Sequence, residues 1–385
     1  MLSVLLSLYF LIFPLGQLIR IEVVPSVVLQ PVDLTAGVLV LVWIFANRGY
    51  TKVRNSYFVP FVVIALFTLF LNFGTVSIEN FITGGFYLVR LSIYTLLFFA
   101  IHDIVRRSVF WKKHIPIFLI SAGVLVVLFG FIQYIFYPDF KNLAELGWDV
   151  HYFRLASTFF DTGFAGILIV LLLILLSLKI LDREIGFKGY GLLLPGIVAL
   201  ALTFSRASYL SFLVATALIY IVRRNAKFTA TILVIFLISV FLLPRPGGEG
   251  VRLKRTSTVI TRAENFNETL RMVSSKPLFG VGYDLLRYNK DSVDFKSHSG
   301  AGAASSLVFV LATTGVVGLL IYLSTIINIL LNGLSNLKSS LGAALVVTLS
   351  ALLVHSIFDN SLFYPWVLGW VAILAGSMPV PKESR

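Results

Sequence analysis

The residues best equipped for chemistry are cations gathered in one polar stretch. Between residues 244 and 305 stand Arg245, Arg252, Lys254, Arg255, Arg262, Arg271, Lys276, Arg287, Lys290 and Lys296, with His298, against six carboxylates. Guanidinium and ammonium groups at that density suit an anionic partner, held by charge-assisted hydrogen bonds. His298, with Ser299 after it in a Gly- and Ala-rich run, has the side chain suited to proton transfer near neutral pH. Outside this stretch, Arg90 falls midway along an apolar run, where a charge costs ~2.5–3.5 kcal/mol on insertion scales and needs a cavity or a partner. Asp33 and Asp161 are the partners to consider; an Arg90 that instead reached a bound anion would be functional. His355 and Asp359, at i and i+4, face one another on a helix and read first as a local hydrogen-bonded pair, second as site residues. The chain has no cysteine, which removes disulfides, thiolate zinc and cysteine nucleophiles. The polar stretch shows no carboxylate pair and no metal-ligand spacing, so a reaction without metal or other cofactor is expected.

Composition sets the elements that must position these groups. At 58% hydrophobic and 13% charged, against ~25% charged in soluble domains, the chain cannot hide its apolar surface in one core. It reads as an all-α, polytopic integral membrane protein, residues 1–385 forming one membrane domain. A span needs ~20 mainly apolar residues, and about twelve candidates are present: 2–18, 23–46, 57–73, 81–102, 115–137, 157–180, 189–205, 207–222, 228–243, 306–331, 340–357 and 361–378. Continuous apolar runs without strand alternation select helices over a barrel. The first run lacks a basic start and a small-residue cleavage site, so it is expected to be retained.

Basic residues alternate between connections: Arg48, Lys52 and Arg54; Arg106, Arg107, Lys112 and Lys113; Lys179, Arg183 and Lys188; Arg223, Arg224 and Lys227; Lys338; Lys382 and Arg385. The positive-inside rule makes that side cytoplasmic, with both termini on it, and sends the 244–305 loop, inserted between spans nine and ten, outward. The net charge of +13 is then accounted for by orientation and contact with anionic membrane lipid, not by nucleic acid. Within the loop, Pro244 and the glycines up to Gly250 end the ninth span. Val259, Phe266, Leu270 and Val273 then recur at helical spacing from about Ser257 to Ser275, with Ser257 or Thr258 as cap. The other positions are polar, so a short amphipathic helix on the membrane surface is expected. Lys276-Pro277 stops it, and Gly280-Val281-Gly282 makes a tight turn before Tyr283.

These residues carry a resemblance. Leu202-Thr203-Phe204-Ser205-Arg206 resembles the Ser-Arg signature of the O-antigen ligase and polymerase family, multi-span glycan transferases of GT-C-type architecture. Arg262, Phe266 and Pro277-Leu278-Phe279-Gly280-Val281-Gly282 resemble that family's Arg, Trp and PLFGVG pattern, with Phe where Trp is usual. Thr314-Gly315-Val316-Val317-Gly318 resembles its entry to the next helix, His355-Ser356-Ile357-Phe358-Asp359 its late HSxFD-like segment, and Arg154-Leu155-Ala156-Ser157-Thr158-Phe159 its outer loop. The ordered set spans residues 150–360. One departure stands out: the family's usual His lies eleven residues before the first glycine of GxxG, where this chain has Ala304, and His298-Ser299 sits six residues earlier.

The resemblance implies transfer of a glycan from an undecaprenyl diphosphate donor to an acceptor hydroxyl on a glycan, a lipid core or a protein, at the outer face of the cytoplasmic (inner) membrane. Cell-envelope polysaccharide such as lipopolysaccharide is the implied product. It assigns diphosphate stabilisation to Arg206, Arg262 and Arg271, with Arg154 next, and the base to His298; Arg206 counts with His298 as catalytic. Arg90, Tyr283, Ser299, His355 and Asp359 are secondary candidates, Tyr283 and its glycine turn being read mainly as structural. A polymerase that extends lipid-linked repeats is the alternative within the class. A transporter and a non-enzymatic, polysaccharide-binding scaffold are the alternatives outside it. Against a carrier stand few intramembrane charges, no paired broken helices in the two halves, and an outer segment that a carrier does not need.

Overall fold

The computed structural model describes residues 1–24, 27–47, 59–245, 249–253, 256–290 and 302–378. Thirteen helices are present among them: α1 (Leu2–Ile12), α2 (Pro31–Asn47), α3 (Val59–Leu71), α4 (Ile78–Arg107), α5 (Val109–Phe136), α6 (Thr162–Leu181), α7 (Lys188–Leu202), α8 (Arg206–Arg223), α9 (Ala226–Leu242), α10 (Ser257–Ser275), α11 (Ser306–Ser335), α12 (Ser340–His355) and α13 (Pro365–Gly376). Five of them (α4, α5, α6, α8 and α11) are long and apolar enough to cross a membrane, and seven more are apolar but shorter. One expected span begins differently. The stretch expected to open a helix at residue 23 instead holds two paired strands, β1 (Ile21–Val24) and β2 (Val27–Leu29), with Ile21 opposite Leu29. Branched Val23, Val24, Val27 and Val28 favour extended backbone, and Pro31 then serves as the first residue of α2, where its missing N–H costs nothing.

The centre of the molecule is α6, apolar on every side and almost wholly buried, as a helix without a polar face must be. It packs against α5, α7, α8 and α12. Side-chain contacts give the sense of this packet. Ser208 near the start of α8 meets Gly163 at the start of α6, at 3.3 Å. At the far ends Arg223 of α8 grips Asp182, just past α6, through two hydrogen bonds of 2.7 and 2.8 Å. The two helices are therefore parallel. α12 runs against them: Ser340 at its start bonds Asp182, and His355 at its end lies 3.2 Å from Ser208. Twenty helical residues rise ~30 Å, the thickness of a bilayer core, so the Ser208 end and the Asp182 end stand about that far apart.

α11 is interrupted at Gly315, whose φ of 69° is outside the helical range. The break frees backbone groups that would be costly inside a membrane. All four are taken up by the turn that follows α10. Val281 and Gly282 N–H donate to the carbonyls of Ala312 and Thr313, at 2.9 and 3.1 Å. Val316 and Val317 N–H donate to the carbonyls of Pro277 and Leu278, at 2.9 and 3.3 Å. Such approach needs glycine: a Cβ on Gly315 would meet the Leu278 oxygen at 2.1 Å, and one on Gly280, at φ 68°, the Ala312 oxygen at 2.4 Å.

Candidate functional site

Side chains converge where the starts of α6 and α8 meet the end of α12. The turn before α8 begins with Phe204 at φ 49°, and Ser205 caps the helix by accepting from Ser208 N–H at 3.4 Å. Ser208 Oγ also lies 2.9 Å from Ser205 Oγ. From Ser208 the contacts run to His355 Nε2, at 3.2 Å, and His355 Nε2 is 3.9 Å from Asp359 Oδ2. Arg262, brought in by α10, donates from Nη2 to Asp359 Oδ1 at 3.3 Å. The close packing again depends on glycines, since a Cβ on Gly166 would meet Ser208 Oγ at 2.4 Å and one on Gly163 would meet Asp359 Oδ2 at 2.9 Å.

Exposure divides this chain of groups. His355 and Ser208 are fully buried, whereas Arg262 and Asp359 are 37% and 29% exposed, so these two meet whatever arrives from outside. Burial pushes the Asp359 carboxyl up to about 7; Arg262 pulls it down, and Asp161 and Asp149 push it further up. A carboxyl poised there can accept a proton near neutral pH. The positive ends of the α6 and α8 dipoles point to the same surface and favour an anion beside it.

The other predicted residues take distinct places. Arg206 is partly buried at the first position of α8 and donates from Nη1 to the Leu253 carbonyl at 3.3 Å. Arg154 is buried behind the Ser205-Arg206 turn, donating to the carbonyls of Thr203 and Phe204 at 3.0 and 3.3 Å. Four non-glycine residues of this region, Phe153, Ser157, Phe160 and Phe204, hold positive φ, at ~1–3 kcal/mol each, the kind of strain that gathers at functional sites. Arg271 is exposed on α10, nine positions beyond Arg262 and thus about two and a half turns round, on the opposite face. Tyr283 is buried against Phe61 and Phe309, a packing position. Arg90 pairs with Asp33 at 2.8 Å and also donates to the Val28 carbonyl. Asp161 instead caps α6, accepting from Gly163 and Phe164 N–H at 2.6 and 2.9 Å.

His298 and Ser299 lie outside the described residues. The flanks of their segment are fixed: Lys290 Nζ donates to the Gly302 carbonyl at 3.1 Å. Asn265, one turn along α10 from Arg262, also holds Gly302 O and receives Ala304 N–H, both at 3.0 Å. Sequence reasoning missed Asn265 and Ser208. A polar Asn on an amphipathic helix gives no signal, but Ser208 stands three residues after Ser205, where a second hydroxyl on the same helical face could have been noticed.

The fold and this cluster define a polytopic, all-α membrane protein with a cationic and carboxylate centre at one end of its spans. Residues 191–323, about a third of the chain, match the family model described as O-antigen ligase. The match runs from α7 into α11 and includes Ser205-Arg206, Arg262, Pro277–Gly282 and Thr314–Gly318. The Arg154 and His355–Asp359 segments fall outside the matched stretch and join the site by geometry. No curated protein matches the chain.

Proposed function

We propose that the protein is an O-antigen ligase-like glycosyltransferase that moves a glycan from undecaprenyl diphosphate to an acceptor hydroxyl at the outer surface of the cytoplasmic membrane. The observation that carries this reading is the Arg262–Asp359 pair, backed by His355 and Ser208, where the ends of three packed helices meet, in a chain whose residues 191–323 match the ligase family model. On this reading the seven shorter apolar helices cross as the five long ones do, and twelve crossings leave both termini cytoplasmic. The end of the packet beside Lys179, Arg183, Arg223, Arg224 and Lys338 is the basic, inner one.

In the reaction the acceptor oxygen attacks the anomeric carbon and the bond from that carbon to the diphosphate oxygen breaks. The acceptor proton passes to Asp359, whose carboxyl at about 7 is suited to it. Arg262 swings from Asp359 to the departing diphosphate and, with Arg206, offsets its growing charge. Arg154 holds the Ser205-Arg206 turn in place, and Arg271, facing away, is outside the clamp. Apolar grooves between spans take the polyprenyl tail. Ala304 at the family's usual His position also suits a polymerase, in which the acceptor is a second lipid-linked repeat.

The test is a reconstituted assay of the full chain with an undecaprenyl diphosphate-linked glycan, scoring products by size and lipid attachment. Glycan moved to a non-donor acceptor is the expected result, and lengthened lipid-linked product assigns a polymerase. No product across lipid, glycan and protein acceptors contradicts the reading. His298→Ala and Asp359→Asn, run side by side, decide between the base assigned by resemblance and the one assigned by geometry.

A further inference from the structure

A further anion-seeking group stands near Asp359 and plays no part in the transfer chemistry. Arg20 follows α1, in a turn whose place is fixed by close contact. Gly16, at φ 55°, would drive a Cβ to 2.5 Å from the Thr158 oxygen. Gln17 N–H donates to that same carbonyl at 2.8 Å, and Gln17 Nε2 donates to the Tyr364 hydroxyl at 3.4 Å. The turn is thereby set on residues 157–160, which lead into Asp161. The Arg20 guanidinium lies over the Trp148 ring, 4.8 Å from its centroid, and Trp148 meets Phe160 edge to face at 5.4 Å. Tyr364 is within electrostatic reach of both Arg20 and Asp161, and Asp149, next to Trp148, of both Asp161 and Asp359.

What Arg20 lacks is an acceptor. Among the described residues it makes no hydrogen bond and no ion pair, although it is partly buried. Burial lowers the guanidinium below its ordinary range, with Tyr87, Glu22 and Tyr364 pushing it back up. It has given up water and gained no counter-charge, a costly state for a group that stays protonated. Its nitrogens are not sealed off, for none belongs to the buried polar atoms without a partner, so a ligand can reach them. Stacking over an indole anchors the guanidinium and leaves its N–H edge free, and that edge matches the oxygens of a phosphate two at a time. Leu18, Ile19, Ile21 and Val23 are all exposed around it. Large apolar side chains bracketing a cation suit a ligand that has a hydrocarbon chain and an anionic head. A soluble anion would leave the apolar flank uncovered, and a neutral lipid would leave the guanidinium unpaired.

We propose that Arg20, with Trp148 beneath it and Leu18, Ile19 and Ile21 beside it, is a binding site for the phosphate group of a membrane lipid. Two lipids offer that chemistry: a polyprenyl phosphate, held close to Asp359 as a substrate would be, and a phospholipid headgroup. The inference does not rest on the glycan-transfer reading, because binding is measured without turnover.

The test is lipid titration of the delipidated full chain in detergent, read by native mass spectrometry. The probes are undecaprenyl phosphate, phosphatidylglycerol and their phosphate-free counterparts, undecaprenol and diacylglycerol. Wild type should bind at least one phosphate-bearing lipid about tenfold more tightly than its counterpart, and Arg20→Gln should lose that difference, as removal of a bidentate charged contact does. Lys141→Gln, exposed in the connection between α5 and α6, should bind as wild type does. Loss of undecaprenyl phosphate alone assigns the site to a polyprenyl-linked substrate, loss of phosphatidylglycerol alone to a bilayer lipid, and loss of both to lipid phosphate in general. Binding of both by Arg20→Gln within about twofold of wild type overturns the proposal, as does a wild type that does not distinguish either lipid from its counterpart. Should Arg20→Gln fail to fold, as judged by size exclusion, Arg20→Lys keeps the charge without the planar fork and should weaken binding about threefold, unchanged affinity again overturning the site.

Discussion

Burial pushes the Asp359 carboxyl up to about 7, well above the ordinary carboxylate range. As a base it acts only when ionised, so the transfer rate rises with pH through about 7 and levels above it. The groups facing it are Arg262, His355, Asp161 and Asp149, and Arg262 pulls the carboxyl down. Arg262→Gln therefore moves the rising limb to higher pH as well as slowing the reaction. A limb that stays put in Arg262→Gln, or survives in Asp359→Asn, contradicts the assignment. Stability runs the other way. A carboxyl raised on folding favours the folded state below the ordinary carboxylate range, and this contribution is lost as pH rises through about 7. The sequence already singled out Arg262, His355 and Asp359, because an Arg in a polar loop and an i, i+4 pair are visible in one dimension. Their junction was not visible, since Arg262 and Asp359 are 97 positions apart and only the three-dimensional packing that sets α10 beside the end of α12 joins them. For Arg90 the choice of Asp33 over Asp161 also needed three dimensions, because Asp161 is already engaged with the first turn of α6.

Among the elements, the turn after α10 and the break in α11 behave as one joint. Each supplies the backbone groups that the other lacks, and Gly315 has no room for a methyl group. Gly315→Ala is expected to destabilise the protein by at least ~1–3 kcal/mol, the cost of a left-handed non-glycine residue, before the clash with Leu278 is counted. Gly85→Ala is the control, because Gly85 lies inside α4 with open space around its Cβ position and should leave the unfolding midpoint unchanged or raised. Denaturant titration of both variants in the same detergent checks this; equal midpoints would mean that the joint is not structural. The sequence located this turn through Pro277, Gly280 and Gly282, but Thr314–Gly318 read as uninterrupted helix because a single glycine is tolerated in one. α10 ran over Ser257–Ser275 as its periodicity indicated. Its N-cap is Thr256 rather than Ser257 or Thr258, a shift of the size that fraying ends produce. Its Val259 and Phe266 point away from the protein, 53% and 41% exposed, whereas Arg262, Asn265 and Glu268 point towards it. The polar face thus meets Asp359, Lys290 and the Gly302–Ala304 backbone, while Met272 and Val273 anchor the end of the helix on the core.

For the molecule as a whole, class was legible from composition alone, because so apolar a chain has few physical solutions. Helix order followed from apolar runs. What did not follow was which helix sits in the middle, since α6 and its neighbours are similarly apolar and only packing distinguishes them. Orientation is open to a direct check, made clean by the absence of native cysteine. Leu146, 65% exposed in the segment between α5 and α6, and Phe187, 89% exposed between α6 and α7, flank the two ends of α6. In intact cells a membrane-impermeant maleimide should label Leu146→Cys and reach Phe187→Cys only after permeabilisation. The reverse pattern would place the Arg262–Asp359 centre on the cytoplasmic side, where the proposed acceptors are not met.

The central claim is that Arg262 and Asp359 form the centre that moves the glycan. Its most direct test is the initial rate of transfer in proteoliposomes, at saturating undecaprenyl diphosphate-linked donor, for wild type, Asp359→Asn and Arg262→Ala. Loss of the proton acceptor or of one charge-stabilising donor each corresponds to roughly a hundredfold or more in rate, so both variants should fall by that much while remaining folded and able to bind donor. Rates within a few-fold of wild type in either would contradict the account.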